Sequence, residues 1–291
     1  NWNKKHERAI FGSIPGIALG HFYGPTTLSK DSTKLYLFLQ GQTAGQFVPV
    51  TMLVTAVIYA LAACVTFALM KEHAKPQLSR VRSSSRWQQL RQTFEEAKAY
   101  KDFMQLMACA VAYQGGVAVA ITLAAIYAEQ VIGFQPQETM ILIFVLNIAA
   151  LLGALVFGYV QDRIGHKLAL AITLVGWSIT CVLAALTTSK EVFWWAAALA
   201  GVCMGSSQSS GRAMAGLFIP SHRLAEFFGL WTFAIRLASI VGPLGYGLIT
   251  WFTSGNQRLA IGATAVLFLV GLALLLPINV QRGQSKAQAQ A

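Results

Sequence analysis

The 291 residues are 55% hydrophobic and only 11% charged, well under half the charged fraction of an ordinary soluble domain. The excess of 22 Lys+Arg over 11 Asp+Glu leaves a net charge of +11. That charge sits in short clusters between long apolar runs, which excludes a soluble nucleic-acid binder and points to helices oriented in a bilayer. Cys64, Cys109, Cys181 and Cys203 all fall inside apolar runs with no C-x-x-C spacing. Neither a disulfide framework nor a metal site is expected, and the four read as small buried side chains.

The chain begins at Asn1 with no signal-peptide pattern, so sequence upstream of it is expected. At bilayer scale, where about 20 apolar residues cross the hydrocarbon, the first candidate covers 9–28 and is interrupted by Pro15, His21 and Pro25; it reads as a broken helix. Seven clear spans follow at 47–70, 103–128, 139–160, 168–187, 192–219, 224–252 and 259–280. The long connection between the first two clear spans opens with a Ser/Arg stretch over 80–86. It continues as an amphipathic segment with Trp87, Leu90, Phe94 and Ala97 on one face and Arg91, Glu95, Lys98 and Lys101 on the other. An interfacial helix on the cytoplasmic leaflet is the preferred reading, and a solvated connector the alternative. The other connections between clear spans are short, as expected for sequential up-down neighbours.

Counting Lys and Arg in the connections orients the bundle, because cytoplasmic loops carry the excess. With the C-terminus inside, 17 lie on the cytoplasmic side and four, Lys30, Lys34, Lys190 and Arg258, on the other, with Arg236 left within a span. Both termini are expected in the cytoplasm.

Polar residues inside the spans mark where protein or water replaces lipid, because an unsatisfied polar group in hydrocarbon is costly. The 103–128 span carries Gln114 beside Gly115-Gly116, the 139–160 span Asn147, the 192–219 span Ser206-Ser207-Gln208-Ser209-Ser210, and the 224–252 span Arg236. These four spans are expected to line a polar pathway through Gln114, Asn147, Gln208 and Arg236. The spans at 47–70, 168–187 and 259–280 are expected to face lipid or pack peripherally. For Asn147 and the serines, interhelical hydrogen bonding is an equal alternative. Arg236 cannot be neutralised by deprotonation and reads as cavity-facing. No acid within these spans is placed to pair with it, so its partner is either an acid of the sequence upstream or the carboxylate of a solute; the second is expected, with Gln114 and Gln208 beside it.

Between the spans at 139–160 and 168–187 lies Gly158-Tyr159-Val160-Gln161-Asp162-Arg163-Ile164-Gly165-His166-Lys167. This G-x-x-x-D-R-x-G-basic-basic pattern resembles the cytoplasmic signature loop of the major facilitator superfamily. Physically, Gly158 permits close helix approach, Gly165 a tight turn, and the basic pair contact with lipid headgroups. Four further motifs follow in order: Gly205-Ser206-Ser207-Gln208-Ser209-Ser210-Gly211-Arg212 with Ile219-Pro220, Ala225-Glu226-Phe227-Phe228-Gly229-Leu230, Gly242-Pro243-Leu244-Gly245-Tyr246-Gly247, and Gln257-Arg258-Leu259-Ala260. Together they resemble the C-terminal half of the vacuole-effluxer-like, autophagy-related branch over about residues 47–280. This chain departs from the branch with Gln114-Gly115 in place of an Asp-Gly pair, so an acidic cavity residue is absent, and with Gly211 rather than Ser before Arg212.

The resemblance implies an all-α transmembrane fold, with the seven clear spans as the sixth to twelfth helices of a twelve-helix transporter. Residues 1–70 then end the N-terminal half, 71–102 form a cytoplasmic linker, 103–280 the C-terminal six-helix half and 281–291 a cytoplasmic tail. The implied function is secondary transport by alternating access, of amino acids or similar small polar solutes, in a plasma membrane, most simply the bacterial inner membrane. Gly158, Asp162, Arg163, Gly165, Lys167, Arg212 and Glu226 would form the cytoplasmic gate. Within it Glu226 either pairs with Arg163 or Arg212 or is a simple helix-start acid. Gly242-Pro243 is either a hinge or a static kink. The implied partners are the bilayer, the solute and the remaining N-terminal helices, with no cofactor. A non-transporting receptor or scaffold built on the same helices is the alternative. An enzyme is not supported, because no paired membrane carboxylates and no base for the serines of 206–210 appear, nor is a Walker motif present.

Overall fold

A computed structural model describes residues 44–69 and 86–289. The broken span at 9–28, the Ser/Arg stretch at 80–85, and the side chains of Trp87 and Leu90 lie outside the described residues. The chain divides into two units at residue 82.

In the first unit, α1 (Ala44–Leu69) is a run of apolar and β-branched residues. Its 26 residues give about 39 Å of helix, enough to cross a bilayer. Thr66 Oγ1 donates to the Ala62 carbonyl at 2.8 Å, so the one polar group in its last turn is satisfied within the helix itself. Cys64 is exposed in this unit, which corrects the expectation that all four cysteines are buried; the other three are.

The second unit begins with α2 (Arg86–Ala97). The spanning helices are α3 (Lys101–Tyr127), α4 (Pro136–Ile164), α5 (His166–Leu186), α6 (Lys190–Phe218), α7 (Leu224–Phe252) and α8 (Gln257–Leu275). A short helix, α9 (Val280–Gln288), ends the unit. Each boundary has a local cause. A wide turn at Ala128–Ile132 closes α3 on Gly133, whose φ of +79° belongs to the left-handed region,. The Gln135 N–H donates to Glu138 Oε2 at 2.7 Å to start α4, and Asn256 Oδ1 accepts from Leu259 N–H at 3.0 Å to start α8,. Only Gly165, with φ +86°, separates α4 from α5.

Around the bundle the helices neighbour one another in the order α4, α6, α5, α8, α3, α7, and α3 also meets α6 within it. Close approach sets the two tightest seams. A Cβ on Gly205 of α6 would stand 1.9 Å from the Ala150 carbonyl oxygen of α4, and one on Gly242 of α7 would stand 2.0 Å from that of Gly115 on α3. Only glycine lets these backbones touch. Gly201 also lies against α4, as a close-packing face on this helix requires.

Six described helices are long and apolar enough to cross a membrane. The seventh expected span, α6, is not among them, although its 29 residues are about 44 Å long. Its Ser206–Arg212 run lowers its hydropathy, and Ser206, Ser207 and Ser210 are fully buried against neighbouring helices. α5 and α8, expected to be peripheral, instead supply much of the core. Trp177 stacks on Phe268 with ring centroids 5.1 Å apart, and Leu170 and Leu174 are fully buried,. Apolar composition alone does not separate a lipid-facing helix from one buried in the bundle.

Candidate functional site

The polar residues of the spanning helices do not all meet. Gln114 on α3 and Gln208 on α6 form a reciprocal amide pair, Gln114 Nε2 donating to Gln208 Oε1 at 3.3 Å and Gln208 Nε2 to Gln114 Oε1 at 3.1 Å. Gln114 is buried and Gln208 half-buried. The pair sits next to the seam where Gly115 meets Gly242, so three expected pathway helices converge there. Asn147 stays apart, its Nδ2 donating to the Ile143 carbonyl of its own helix at 2.8 Å.

Arg236 is exposed in this unit, beside exposed Phe233, Leu237 and Ile240. The bundle-facing positions of α7 are Phe227, Leu230, Trp231, Ala234, Ala238, Gly242 and Tyr246. At 100° per residue, Arg236 lies on the opposite side of the helix. The expectation that it stands beside Gln114 and Gln208 is therefore corrected: within residues 83–291 it joins neither. Gly242 is buried at the α3 seam and α7 runs unbroken through Pro243, so the packing role of that glycine is visible.

A second buried polar contact lies nearer the cytoplasmic end as oriented by the charge count. Ser210 Oγ of α6 donates to Gln161 Oε1 of α4 at 2.9 Å, with both residues buried. Gln161 lies within the signature loop motif, but as one of its variable positions it attracts no notice in the sequence. The other loop residues divide. Gly158 is buried, Asp162 and Arg163 are exposed without an ion pair among the described residues, and Gly165 makes the turn. Lys167 reaches the end of α8, where Nζ donates to the carbonyls of Leu276 at 2.6 Å and Ile278 at 2.8 Å. Lys167 thus caps carbonyls that a helix C-terminus leaves unpaired.

Glu226 also has different partners from those expected. Its Oε2 accepts from Arg223 Nη2 at 2.6 Å and from Thr93 Oγ1 of α2 at 3.4 Å. The other arm of Arg223 pairs with Glu96 of α2. Neither Arg163 nor Arg212 takes part. α2 therefore docks on the start of α7 through Thr93, Glu96 and Ala97, while Phe94 of the expected apolar face is 38% exposed.

The segment expected to be a free tail holds a further contact. Asp102, 4% exposed, accepts from Arg282 Nη2 at 2.6 Å, Arg282 Nε at 2.7 Å and the Asn279 N–H at 2.9 Å. Hydrogen bonding to Asp102 and its negative charge push the Arg282 guanidinium up from its ordinary pKa,. Lys286 Nζ donates to the Ala99 carbonyl and stands 5.6 Å from the Tyr100 ring centroid. Residues 280–288 are thus a helix fastened across the start of α3. The partners lie some 180 positions apart in the chain, a separation no periodicity can show.

A family model described as vacuole effluxer Atg22 like matches residues 18–288. An uncharacterized MFS-type transporter of Bacillus subtilis, YxiO, is 25% identical over 204 residues, which is 70% of this chain and 47% of that protein. Autophagy-related protein 22-1 of Penicillium rubens is 26% identical over 218 residues, 70% of this chain and 36% of that protein. The chain thus spans about half or less of the length of these curated relatives. Among solved structures, a bacterial homolog to the human lysosomal transporter Spinster, in an inward-facing and unoccupied conformation, matches with a TM-score of 0.55 at 16% identity, covering 96% of this chain and 65% of that one. This chain is an integral, multi-pass membrane protein with the major facilitator fold, and it belongs to the vacuole effluxer Atg22-like family.

Proposed function

We propose that the protein is a secondary transporter that works by alternating access and carries amino acids or similar small polar solutes. The observation that carries this reading is the Gln114–Gln208 amide pair, which bridges α3 and α6 inside an apolar bundle. Two neutral amides can exchange hydrogen bonds with each other or with a polar solute at little net cost, which suits a site that fills and empties. Asn147 and Arg236 extend the pathway on α4 and α7. The Gly158–Lys167 loop, Arg212 and Glu226 serve the cytoplasmic gate, and Gly242-Pro243 serves as the hinge.

The membership of the family and the names of its relatives support transport. The choice of amino acids rests on the amide chemistry and on the resemblance to vacuolar exporters. The test is uptake by liposomes containing the full-length protein, using separate panels of labelled amino acids, sugars and short peptides. Saturable uptake confined to the amino-acid panel is expected; uptake confined to sugars would overturn the solute class. In the same preparation, Asp162→Ala is expected to slow uptake without reducing membrane insertion, and an unchanged rate would remove Asp162 from the gate.

The orientation, with both termini cytoplasmic, rests on the 17-to-4 distribution of basic residues,. Single cysteines at Gln284 and at Ser254 are expected to react with impermeant thiol reagents from opposite sides of the membrane. Labelling of both from one side contradicts this topology.

A further inference from the structure

Arg212 stands one turn from the amide pair, next to Gly211 and the buried polar groups that surround it. On α6 it lies four residues beyond Gln208, so the two side chains share a face one turn apart. Six residues separate it from the end of α6 at Phe218, about 9 Å at 1.5 Å per residue. The guanidinium is half-buried, and among the described residues no carboxylate pairs with it.

Buried polar groups nearby also lack partners. The Tyr113 hydroxyl lies within electrostatic reach of Arg212, fully buried beside the Gln114 amide and without a hydrogen bond of good geometry. It fills the space left by the absent side chain of Gly211, where a Cβ would stand 2.3 Å from it. Trp231 Nε1 of α7 is likewise buried and unpartnered, and the Cζ2 edge of its ring lies 3.8 Å from the same point. The amide pair uses one donor and one acceptor of each glutamine. What remains is a guanidinium fork, a phenol hydroxyl, an indole N–H and, on each amide, one N–H and one oxygen lone pair. A half-buried cation with no carboxylate partner among the described residues, one turn from the amide pair, is suited to an anionic acceptor,.

We propose that Arg212 binds the carboxylate, or another anionic group, of the transported solute, with Gln208 and Gln114 orienting its remaining polar groups. Tyr113, whose hydroxyl fills the space beside Gly211, is a positioning residue. The proposal rests on the transport reading and moves the charge-recognition role from Arg236 to Arg212. Arg236 faces away from the amide pair in this unit, whereas Arg212 shares a face with it. The planar fork of arginine matches a carboxylate bidentately, and a lysine would hold it only as a point charge.

The test uses purified full-length protein and thermal stabilisation by sodium acetate, inorganic phosphate and acetamide, at constant ionic strength maintained with sodium chloride. Acetamide is the uncharged isostere of acetate. Acetate is expected to stabilise saturably and acetamide not at all. Arg212→Gln is expected to raise the half-saturating acetate concentration at least tenfold, Arg212→Lys by about threefold, and Arg258→Gln, at the far end of the bundle, by less than twofold. Phosphate stabilising at lower concentration than acetate, with the same dependence on Arg212, would support the anion subsite and assign it to phosphate-bearing solutes. Equal responses to acetate and acetamide, or an acetate response that survives Arg212→Gln, would overturn the proposal. If Arg212→Gln does not purify, an unchanged half-saturation in Arg212→Lys overturns it. An intact Arg212-dependent acetate response in a protein that moves no amino acid would defeat the amino-acid reading and leave the anion subsite standing.

Discussion

The rim of the bundle at the Gly165 end and the interior of the bundle solve the same electrostatic problem in opposite ways. At the rim, the charges that join one helix to another have fixed protein partners. Asp102 is held by Arg282 and the Asn279 N–H, Arg223 is shared between Glu96 and Glu226, and Lys167 caps the end of α8. Water is close at hand there, so each pair is inexpensive to form and α2 and α9 are fastened to the spanning helices through them. In the interior, the side-chain pairs that join α3, α4 and α6 among the described residues are neutral, Gln114 with Gln208 and Ser210 with Gln161. Arg212, half-buried on α6, has no acid among the described residues. Protein charges are thus compensated by protein where the structure is to be held. In the transport reading proposed above, they are left open where the solute passes.

The sharpest way to break this contrast is to separate helices in the interior. Gly205→Val places a side chain against the Ala150 carbonyl of α4 and should cost about 3 kcal/mol or more, because backbone cannot yield as a side chain does. Gly229→Ala, in open space on α7, should instead gain up to about 1 kcal/mol from helix propensity. Thermal unfolding of both variants in detergent checks the difference, and equal stabilities would remove the α4–α6 seam from the energetics.

A smaller effect is expected at the amide pair. Gln208→Leu leaves the buried Gln114 amide without its partner, at a cost of about 1–3 kcal/mol. Adding Gln114→Leu should restore most of that loss, since both polar groups are then gone. A double variant less stable than the single one would show that the amides do more for folding than satisfy each other.

The smallest effect belongs to the rim. Arg223→Gln should lower stability by less than about 1 kcal/mol, as for other partly exposed pairs. It should nonetheless raise amide hydrogen exchange across α2, because Glu96 and Glu226 are then no longer joined. Unchanged exchange in α2 would mean that Thr93 and Ala97 alone hold this helix.

Much of this architecture is legible in the amino-acid order. Long apolar runs mark the helices, the D-R-x-G loop marks the single-residue turn at Gly165, and the polar interruptions single out Gln114 and Gln208, which do meet. The rest depends on which side of a helix faces which neighbour. Arg236 is costly to bury on any face, so energetics alone assigns it to a cavity without showing that α7 turns it away from the amide pair. The 281–291 segment reads as a polar tail because its packed face is made of Gly283 and Ala287, residues too small to produce an apolar stripe. Asp102 looks like an ordinary helix-start acid until Arg282 is brought to it. The Phe94 stripe places α2 on the leaflet, whereas the buried face of this segment is the one bearing Thr93, Ala97 and Tyr100.

The most direct measurement of the transport reading is counterflow of labelled amino acids in liposomes containing the full-length protein, compared between wild type and the Gln114→Leu, Gln208→Leu double variant. The double variant removes the interior amides while sparing every rim contact. Counterflow well above that of protein-free liposomes is expected for wild type, with at least a tenfold loss in a double variant that remains folded. A double variant that exchanges amino acids at the wild-type rate, or a wild type indistinguishable from protein-free liposomes, would contradict the assignment of this interior as a solute pathway.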